Sequence, residues 1–159
     1  MGSRIKIKKS DWAYIAGFFD GDGSLMVQFK NRRNTITGFR PMITLCFYQD
    51  KRHAKPLKWF RKIFGIGYLS ERNDNIIELR INGYNSCEII LKELRPFIKF
   101  KKKQLNLSLK IISKLKTISR ITQKDILETA KLADKISKEN YLSARRKYSY
   151  EYFQKLFKK

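Results

Sequence analysis

The chain has 159 residues, of which 42% are hydrophobic and 13% aromatic, so an intrinsically disordered polymer is excluded and one domain with a real core is favoured. Its 36 lysines and arginines stand against 14 acidic residues, which gives a formal net charge of +22 at pH 7. Because so large an excess of charge repels itself in a compact fold, we expect a polyanionic partner, and proteins that bind only a small cofactor are a poor fit.

The first third of the chain predicts a helix followed by two strands. A helix is predicted over residues 12–22, with Ser10 or Asp11 as its N-cap. The next residues alternate between apolar and polar, which is the pattern of a half-buried strand. The side chains expected on its buried side are Leu25, Val27 and Phe29. A polar turn over residues 31–37 then leads into a second strand over 38–48.

The middle of the chain repeats this arrangement and the end is helical. A helix over residues 53–64 is ended by Gly65 at a C-cap position, and strands over 68–72 and 76–82 form a second hairpin. A helix over residues 85–94 follows. Three further helices are predicted, at about 104–117, 122–138 and 146–157.

This order of elements predicts the fold class. The sequence reads α-β-β-α-β-β-α with extra C-terminal helices, which favours an α+β fold with one four-stranded antiparallel sheet and helices packed on one face. We expect a single domain over residues 1–159, with the first helix over 12–22 and a C-terminal helical part over about 104–157.

Several protein classes are excluded by simple features. The chain has no run of about 18 apolar residues and its N-terminus is charged, so we expect neither a membrane-spanning helix nor a signal peptide. A single histidine excludes zinc fingers. The two cysteines, Cys46 and Cys87, lie among apolar residues and are expected to be buried free thiols in a reducing compartment.

One stripe of the first helix has almost no side chains. Ala13, Gly17 and Gly21 recur every four residues and therefore lie on one face of that helix. A glycine inside a helix costs about 1 kcal/mol relative to alanine, so Gly17 needs a packing reason. Close approach of a second helix backbone is such a reason.

Two acidic residues stand at the end of the same helix. Asp20 and Asp22 face the negative end of the helix dipole, which is unfavourable by roughly 0.3–1 kcal/mol for each. Folding gives no reason for them, whereas a divalent cation would. The alternative is that Asp-Gly-Asp-Gly is an ordinary turn.

The string Tyr-Ile-Ala-Gly-Phe-Phe-Asp-Gly-Asp-Gly, residues 14–23, resembles the signature of the LAGLIDADG homing endonucleases. The matching residues are Ala16, Gly17, Asp20, Asp22 and Gly23. The segments 65–68 and 95–104 also occupy the places expected in the single-motif, homodimeric branch, and the likeness extends through nearly the whole chain. It implies an intron-encoded, site-specific endodeoxyribonuclease that hydrolyses phosphodiester bonds in both strands of a long pseudo-palindromic target as a homodimer. An intracellular location with access to DNA follows, either the cytoplasm of a prokaryote or an organelle.

The resemblance also implies a metal site and a dimer seam. Asp22 is the expected cation ligand, with the backbone carbonyl of Gly21 beside it. One acid per chain cannot hold the ions alone, so two copies bring both Asp22 carboxylates together and DNA phosphates complete the shell. Mg²⁺ suits such a site, Mn²⁺ is expected to substitute, and Ca²⁺ to bind without supporting cleavage. The residues expected at the dimer interface are Ala13, Gly17, Asp20 and Gly21.

Further catalytic positions follow from the same resemblance. Gln49 matches a polar residue at a strand end that orders solvent, and Lys101 matches a basic group that stabilises transition-state charge. A basic residue at the start of the next helix corresponds to Arg52 or His53. His53 lies closer to the usual spacing, although arginine is common there.

Double-stranded DNA is the expected partner, read by polar side chains on the exposed side of the sheet. Alternation assigns base contacts to Gln28, Lys30, Arg32, Arg40, Ser70, Arg72 and Arg80. Phosphate contacts are expected from other basic positions, namely Lys6, Lys8, Lys9, Lys102, Lys103 and the run at 145–147.

Two alternatives remain open. A protein of the same fold could bind RNA as a maturase, or bind DNA as a regulator, without cleavage. Retention of Asp20, Asp22 and Lys101 favours the enzyme. A generic basic RNA-binding or ribosomal protein would explain the charge, but not a bare helical stripe that ends in two acids.

Overall fold

The computed structural model describes residues 7–140 and 146–158. The predicted order of helices and strands is confirmed, with changes at the ends of several elements. The elements, in chain order, are α1 (Lys9–Asp22), β1 (Gly23–Asn31), β2 (Phe39–Asp50), a 3-10 turn (Lys51–His53), α2 (Lys55–Phe64), β3 (Tyr68–Glu71), β4 (Ile76–Asn82), α3 (Tyr84–Leu94), α4 (Lys102–Thr117), α5 (Gln123–Lys138) and α6 (Tyr150–Phe157).

The four strands form one antiparallel sheet in the order β1-β2-β4-β3. Strand β4 lies between β2 and β3, with Cys46 opposite Arg80 on one side and Ser70 opposite Glu78 on the other. Along β1 the predicted alternation is confirmed, because Leu25, Val27 and Phe29 are buried and the residues between them are not. This alternation leaves one side of β1 free of core contacts, as a binding surface requires.

The chain divides into two compact units. Unit 1 comprises the chain up to Ser24 together with Thr44–Lys102, and unit 2 comprises Leu25–Ile43 together with the chain from Lys103 onward. The core of unit 1 is rich in aromatic rings, with Phe60 packed edge-on against Phe18 and Phe47. The core of unit 2 centres on Phe153, whose ring centroid lies 4.8 Å from that of Phe29 and 5.0 Å from that of Phe39.

Three predicted helix starts are corrected by the structure. Helix α1 begins at Lys9, and its N-cap Lys8 makes no side-chain capping bond, so neither Ser10 nor Asp11 is the cap. The helix predicted from residue 53 begins at Lys55 because Asp50 caps a separate 3-10 turn and Pro56 fits only the first turn of a helix. The last helix begins at Tyr150, where Ser149 accepts a capping bond from Tyr152 N, rather than at residue 146.

Other local predictions are confirmed. Gly65 adopts the left-handed conformation at φ 66° and ends α2, and both Cys46 and Cys87 are buried free thiols. In the described ranges, no helix has the length and apolar character needed to cross a membrane.

Candidate active site

The motif helix passes directly into the first strand, with no loop between them. Asp22 is the last residue of α1 and Gly23 is the first of β1. A Cβ atom on Gly23 would lie 2.1 Å from a ring carbon of Phe19 and 2.6 Å from its carbonyl oxygen. Only glycine therefore fits this joint, and it fixes where the Asp22 carboxylate stands.

Asp20 has a folding role that the sequence did not reveal. Its carboxylate accepts backbone N–H bonds from Lys99 at 2.7 Å, Phe100 at 3.2 Å and Lys101 at 3.0 Å. The expectation that folding gives no reason for both acids is therefore wrong for Asp20, because this carboxylate ties the end of α1 to residues 99–101.

Asp20→Ala is expected to destabilise the protein by about 2 kcal/mol, since three backbone donors lose a charged acceptor in a partly exposed place. Asp20→Asn keeps one acceptor oxygen and is expected to lose less. Chemical denaturation of both variants checks this. Equal stability of Asp20→Ala and the parent chain would contradict the role.

Asp22, by contrast, is exposed and accepts no hydrogen bond or ion pair from any described residue. The carbonyls of the last helical turn, including that of Gly21, lack helical partners because the helix ends there. A carboxylate and a carbonyl at the negative end of a helix are oxygen donors of the kind that hard divalent cations prefer. The described residues hold no cluster of three His, Cys, Asp or Glu side chains, so the donor set fits a cation only when a second copy and a phosphate add to it.

Lys101 lies beside the two acids. Its Nζ donates to the backbone carbonyl of Asp20 and sits 5.9 Å from the ring centroid of Phe19. Burial lowers the pKa of this ammonium, while the charges of Asp20 and Asp22 act in the opposite direction. The structure thus places the Lys101 ammonium at the end of the motif helix, where it is within the electrostatic influence of Asp22.

Gln49 and His53 lie at the end of β2 and in the following turn. Gln49 Oε1 accepts a bond from Asp50 N at 2.8 Å, and His53 is exposed without a described partner. Arg52, the alternative basic residue, donates to Asp50 through Nε at 2.9 Å and Nη2 at 3.0 Å. These bonds lower the pKa of Asp50 to about 2. The Arg52 guanidinium is therefore held by Asp50, a residue that the sequence analysis did not single out. His53 makes fewer contacts than Arg52.

The bare stripe of α1 is an open surface in this chain. Ala13, Gly17 and Gly21 are all exposed, and a Cβ atom on either glycine would meet nothing within 4 Å. No described residue therefore supplies the packing reason that Gly17 requires.

Apolar residues flank this stripe on both sides. On the Asp20 side, Phe97 and Phe100 line a depression with the stripe residues, and Phe100 is 81% exposed. On the other side, Tyr14 is 53% exposed and shares a shallow depression with Pro56 and Trp59 of α2. Phe100 gave no signal in the sequence, where it reads as one more residue of a basic segment.

In unit 1, a buried carboxylate organises two of the predicted DNA-binding arginines. Glu78 is 7% exposed, and its oxygens lie 3.4 Å from Arg72 Nη1 and 3.3 Å from Arg80 Nε. Arg72 also pairs with Asp74 at 2.8 Å and follows β3 rather than lying in it. Ser70 is opposite Glu78 in the register. Sequence reasoning missed Glu78, because its proximity to the predicted DNA-binding arginines is visible only from the pairing of the strands.

In unit 2, the β1–β2 hairpin carries the remaining predicted base contacts. Gln28 is half-buried, whereas Lys30, Arg32 and Arg40 are exposed. Arg32 lies just beyond β1, where its N–H bonds to Gly38 O at 2.8 Å and closes the hairpin turn. It therefore belongs to the turn and not to the strand.

The expected phosphate contacts differ in how accessible they are. Lys102 is exposed, whereas the ammonium of Lys103 is paired with Glu139. Lys6 and Arg145 lie outside the described residues, and the Arg146 side chain is directed into unit 2, where it bonds to the Val27 carbonyl.

Known proteins share this sequence pattern. The model of the LAGLIDADG endonuclease family matches residues 15–106, which is more than half of the chain. DNA endonuclease I-CvuI of Chlorella vulgaris is 31% identical over 125 residues, covering 79% of this chain and 76% of that protein. DNA endonuclease I-CreI of Chlamydomonas reinhardtii is 32% identical over 139 residues, covering 85% of this chain and 82% of that protein.

Solved structures share the fold. The homing endonuclease I-CvuI, crystallised with an I-CreI target and magnesium and with its DNA uncleaved, gives a TM-score of 0.85 at 28% identity over 94% of both chains. The same enzyme with its own target and calcium gives the same score. The archaeal intron-encoded homing endonuclease I-Vdi141I in complex with DNA gives 0.80 at 22% identity over 94% of this chain and 95% of that one. The α+β fold predicted from the sequence is thereby confirmed.

Proposed function

This chain belongs to the LAGLIDADG endonuclease family and is a DNA endonuclease, and we propose that it cuts both strands of a specific duplex as a homodimer whose two α1 helices meet along their bare stripes. The observation that carries this proposal is the exposed stripe of Ala13, Gly17 and Gly21, which ends beside Asp22. The Asp22 carboxylate accepts no hydrogen bond from any described residue.

The position of Asp22 sets the symmetry of the pair. For both carboxylates to reach one centre, the two helices must run side by side in the same direction. A two-fold axis parallel to α1 is the operation that does this, and closed two-fold pairing is the commonest assembly of identical chains. The two Gly17 backbones then face each other across the axis with no side chain between them.

The same axis decides which flanks meet. A two-fold rotation about an axis along the helix places the Phe100 flank of one copy against the Tyr14 flank of the other, at the same height along α1. Phe100 is at the level of Asp20, to which its N–H is bonded. On the opposite flank, Tyr14 lines a shallow depression with Pro56 and Trp59 of α2. The two-fold pairing therefore brings the exposed Phe100 ring to the flank of the second copy that carries Tyr14.

The chemistry uses few groups of this chain. The Asp22 carboxylate and the Gly21 carbonyl would hold a divalent cation, and the crystallisation of I-CvuI with DNA in the presence of magnesium or calcium supports the use of divalent cations in this family. A bound cation supplies Lewis acidity toward the scissile phosphate and lowers the pKa of a bound water. Lys101 presents a positive charge to the phosphate that becomes pentacovalent, and Gln49 orients solvent through its amide. His53 is a further basic group at the edge of the site. Mg²⁺ is the expected ion, with Mn²⁺ as a substitute and Ca²⁺ binding without turnover.

Recognition comes from the sheet in the major groove, where all four base pairs present different donors and acceptors. The β1–β2 hairpin offers Gln28, Lys30, Arg32 and Arg40, and the β3–β4 hairpin offers Ser70, Arg72 and Arg80. Glu78 accepts a hydrogen bond from Arg72 at 3.4 Å and lies 3.3 Å from Arg80 Nε, so its charge keeps both guanidinium groups beside β4. A symmetric dimer reads a pseudo-palindromic target.

Selection of cleaved molecules from a large randomised duplex library with Mg²⁺ tests the function. We expect one pseudo-palindromic family of cut sites, with both nicks mapped symmetrically, and no product when the cation is chelated. No cut duplex under any divalent cation would refute the proposal. Tight binding of structured RNA without DNA cleavage would favour the maturase instead.

A further inference from the structure

One arginine of unit 2 is committed to the backbone of the first strand. The Arg146 side chain is 19% exposed, and its Nη2 donates to the carbonyl of Val27 at 2.9 Å. Its Nη1 donates to Asp134 Oδ1 at 3.2 Å, and the guanidinium lies 5.9 Å from the ring centroid of Phe29. Burial lowers the pKa of Arg146, while Asp134 acts in the opposite direction.

Asp134 connects this contact to the C-terminal helices. Its Oδ1 accepts from Arg146, and its Oδ2 accepts a bond of 2.8 Å from the N–H of Tyr150, the first residue of α6. Three backbone elements, β1, α5 and α6, therefore meet at one carboxylate and one guanidinium. We call this group, Arg146 with Asp134 and the Val27 carbonyl, the β1 clasp.

The position of the clasp on the sheet is significant. β1 is an outer strand in the order β1-β2-β4-β3, so backbone groups on its outer edge have no strand to pair with. Val27 itself is buried, with 6% exposure, and Gln28 follows it on the opposite side of the strand. A forked, planar donor such as Arg146 holds two acceptors in fixed directions, which a lysine cannot do.

We propose that Arg146 is a positioning residue for target recognition: by holding the outer edge of β1 at Val27, it sets the position of the Gln28 and Lys30 side chains that read bases. This inference rests on the proposed function for its readout in DNA. It also makes base recognition by β1 depend on the C-terminal helices α5 and α6, which themselves need not touch a base.

Arg146→Met tests the role, because methionine keeps a long apolar side chain but removes both donated bonds. Arg146→Lys keeps the charge without the fork, and Lys135→Met removes one positive charge from an exposed residue of α5. Base preference of each variant is measured at every target position with the selected duplex library, and Gln28→Ala identifies the positions read from β1.

We expect Arg146→Met to relax base preference about tenfold at the positions that Gln28→Ala identifies, the order of one base contact, with other positions unchanged and kcat on the preferred target retained. Arg146→Lys should lie between this variant and the parent chain. Lys135→Met should leave the pattern of preference unchanged.

Two results would overturn the proposal. Uniform weakening across all sequences with a shallower salt dependence would show that Arg146 contacts phosphate, and an unchanged preference profile with a lower melting temperature would show a merely structural role. Hydrogen exchange of the β1 amides in the free protein is a second measurement, and it does not need DNA. Faster exchange there in Arg146→Met, but not in Lys135→Met, is expected even if no duplex is cut, so failure of the clasp and failure of the proposed function are separable.

Discussion

Asp22→Asn is expected to abolish cleavage while leaving target binding intact. Asparagine has nearly the same shape but carries no charge, so the pair of copies loses the anionic donors that hold a cation between them. Loss of the Lewis acid and of the activated water removes several kcal/mol of transition-state stabilisation, which corresponds to about 10³-fold or more in kcat. The fold should be unaffected, because no described residue bonds to the Asp22 carboxylate.

Single-turnover nicking and equilibrium binding, measured on the same duplex, check this prediction. Asp11→Asn is the matched control, since it makes the same change in the first turn of the same helix, far from the site. Binding by Asp22→Asn should match or exceed that of the parent chain, because a negative charge near the phosphates is gone. A variant that still nicks at the parental rate would remove Asp22 from the mechanism, and loss of binding together with a lower melting temperature would indicate a structural role.

Gly17→Leu is expected to separate the dimer and to abolish cleavage without weakening the single chain. Within one copy, a Cβ atom at this position would meet nothing within 4 Å. Leucine also has a higher helix propensity than glycine in a helix interior, and the difference approaches about 1 kcal/mol. In the proposed dimer, the leucine side chain would lie between the two α1 backbones. The substitution is therefore expected to stabilise the single chain and to destabilise the dimer.

Sedimentation equilibrium and thermal unfolding at two protein concentrations measure both effects. We expect a halved mass, a melting temperature that no longer rises with concentration, and no double-strand product. Ser113→Leu, an exposed position on α4, controls for adding leucine to a helix surface. Phe100→Asp tests the flank independently and should weaken the same assembly. A fully active dimer of Gly17→Leu would show that the stripe is not the seam.

The parts of the fold that depend on neighbouring residues could be predicted from the sequence. The alternation of Leu25, Val27 and Phe29 set the buried side of β1, and Gly65 marked the end of α2, since both signals are local. Helix starts were less accurate. Lys8, Ser10 and Asp11 compete within one turn, and the actual start makes no use of a capping side chain.

Long-range polar contacts could not be predicted. Asp20 bonds to an N–H that is 79 residues away in the chain, and Arg146 bonds to a carbonyl 119 residues away. Glu78 stands out only when β4 is paired with its neighbours, because its partners are set by register and not by spacing in the sequence. Asp22 was singled out by its place at the end of a helix and Lys101 by a resemblance, and the electrostatic influence of one on the other is a property of the folded chain.

The seamless joint at Gly23 limits how this lineage can evolve. Because no loop separates α1 from β1, the chain cannot accommodate an inserted or deleted residue at this point by a local change. Such a change would turn every later side chain of β1 to the opposite side of the sheet. The buried leucine, valine and phenylalanine would move into water, and the polar side chains proposed to read the groove would move into the core. New DNA preferences must therefore arise by exchanging residues at alternate places along the strand, whereas changes of length are confined to the hairpin turn beyond it.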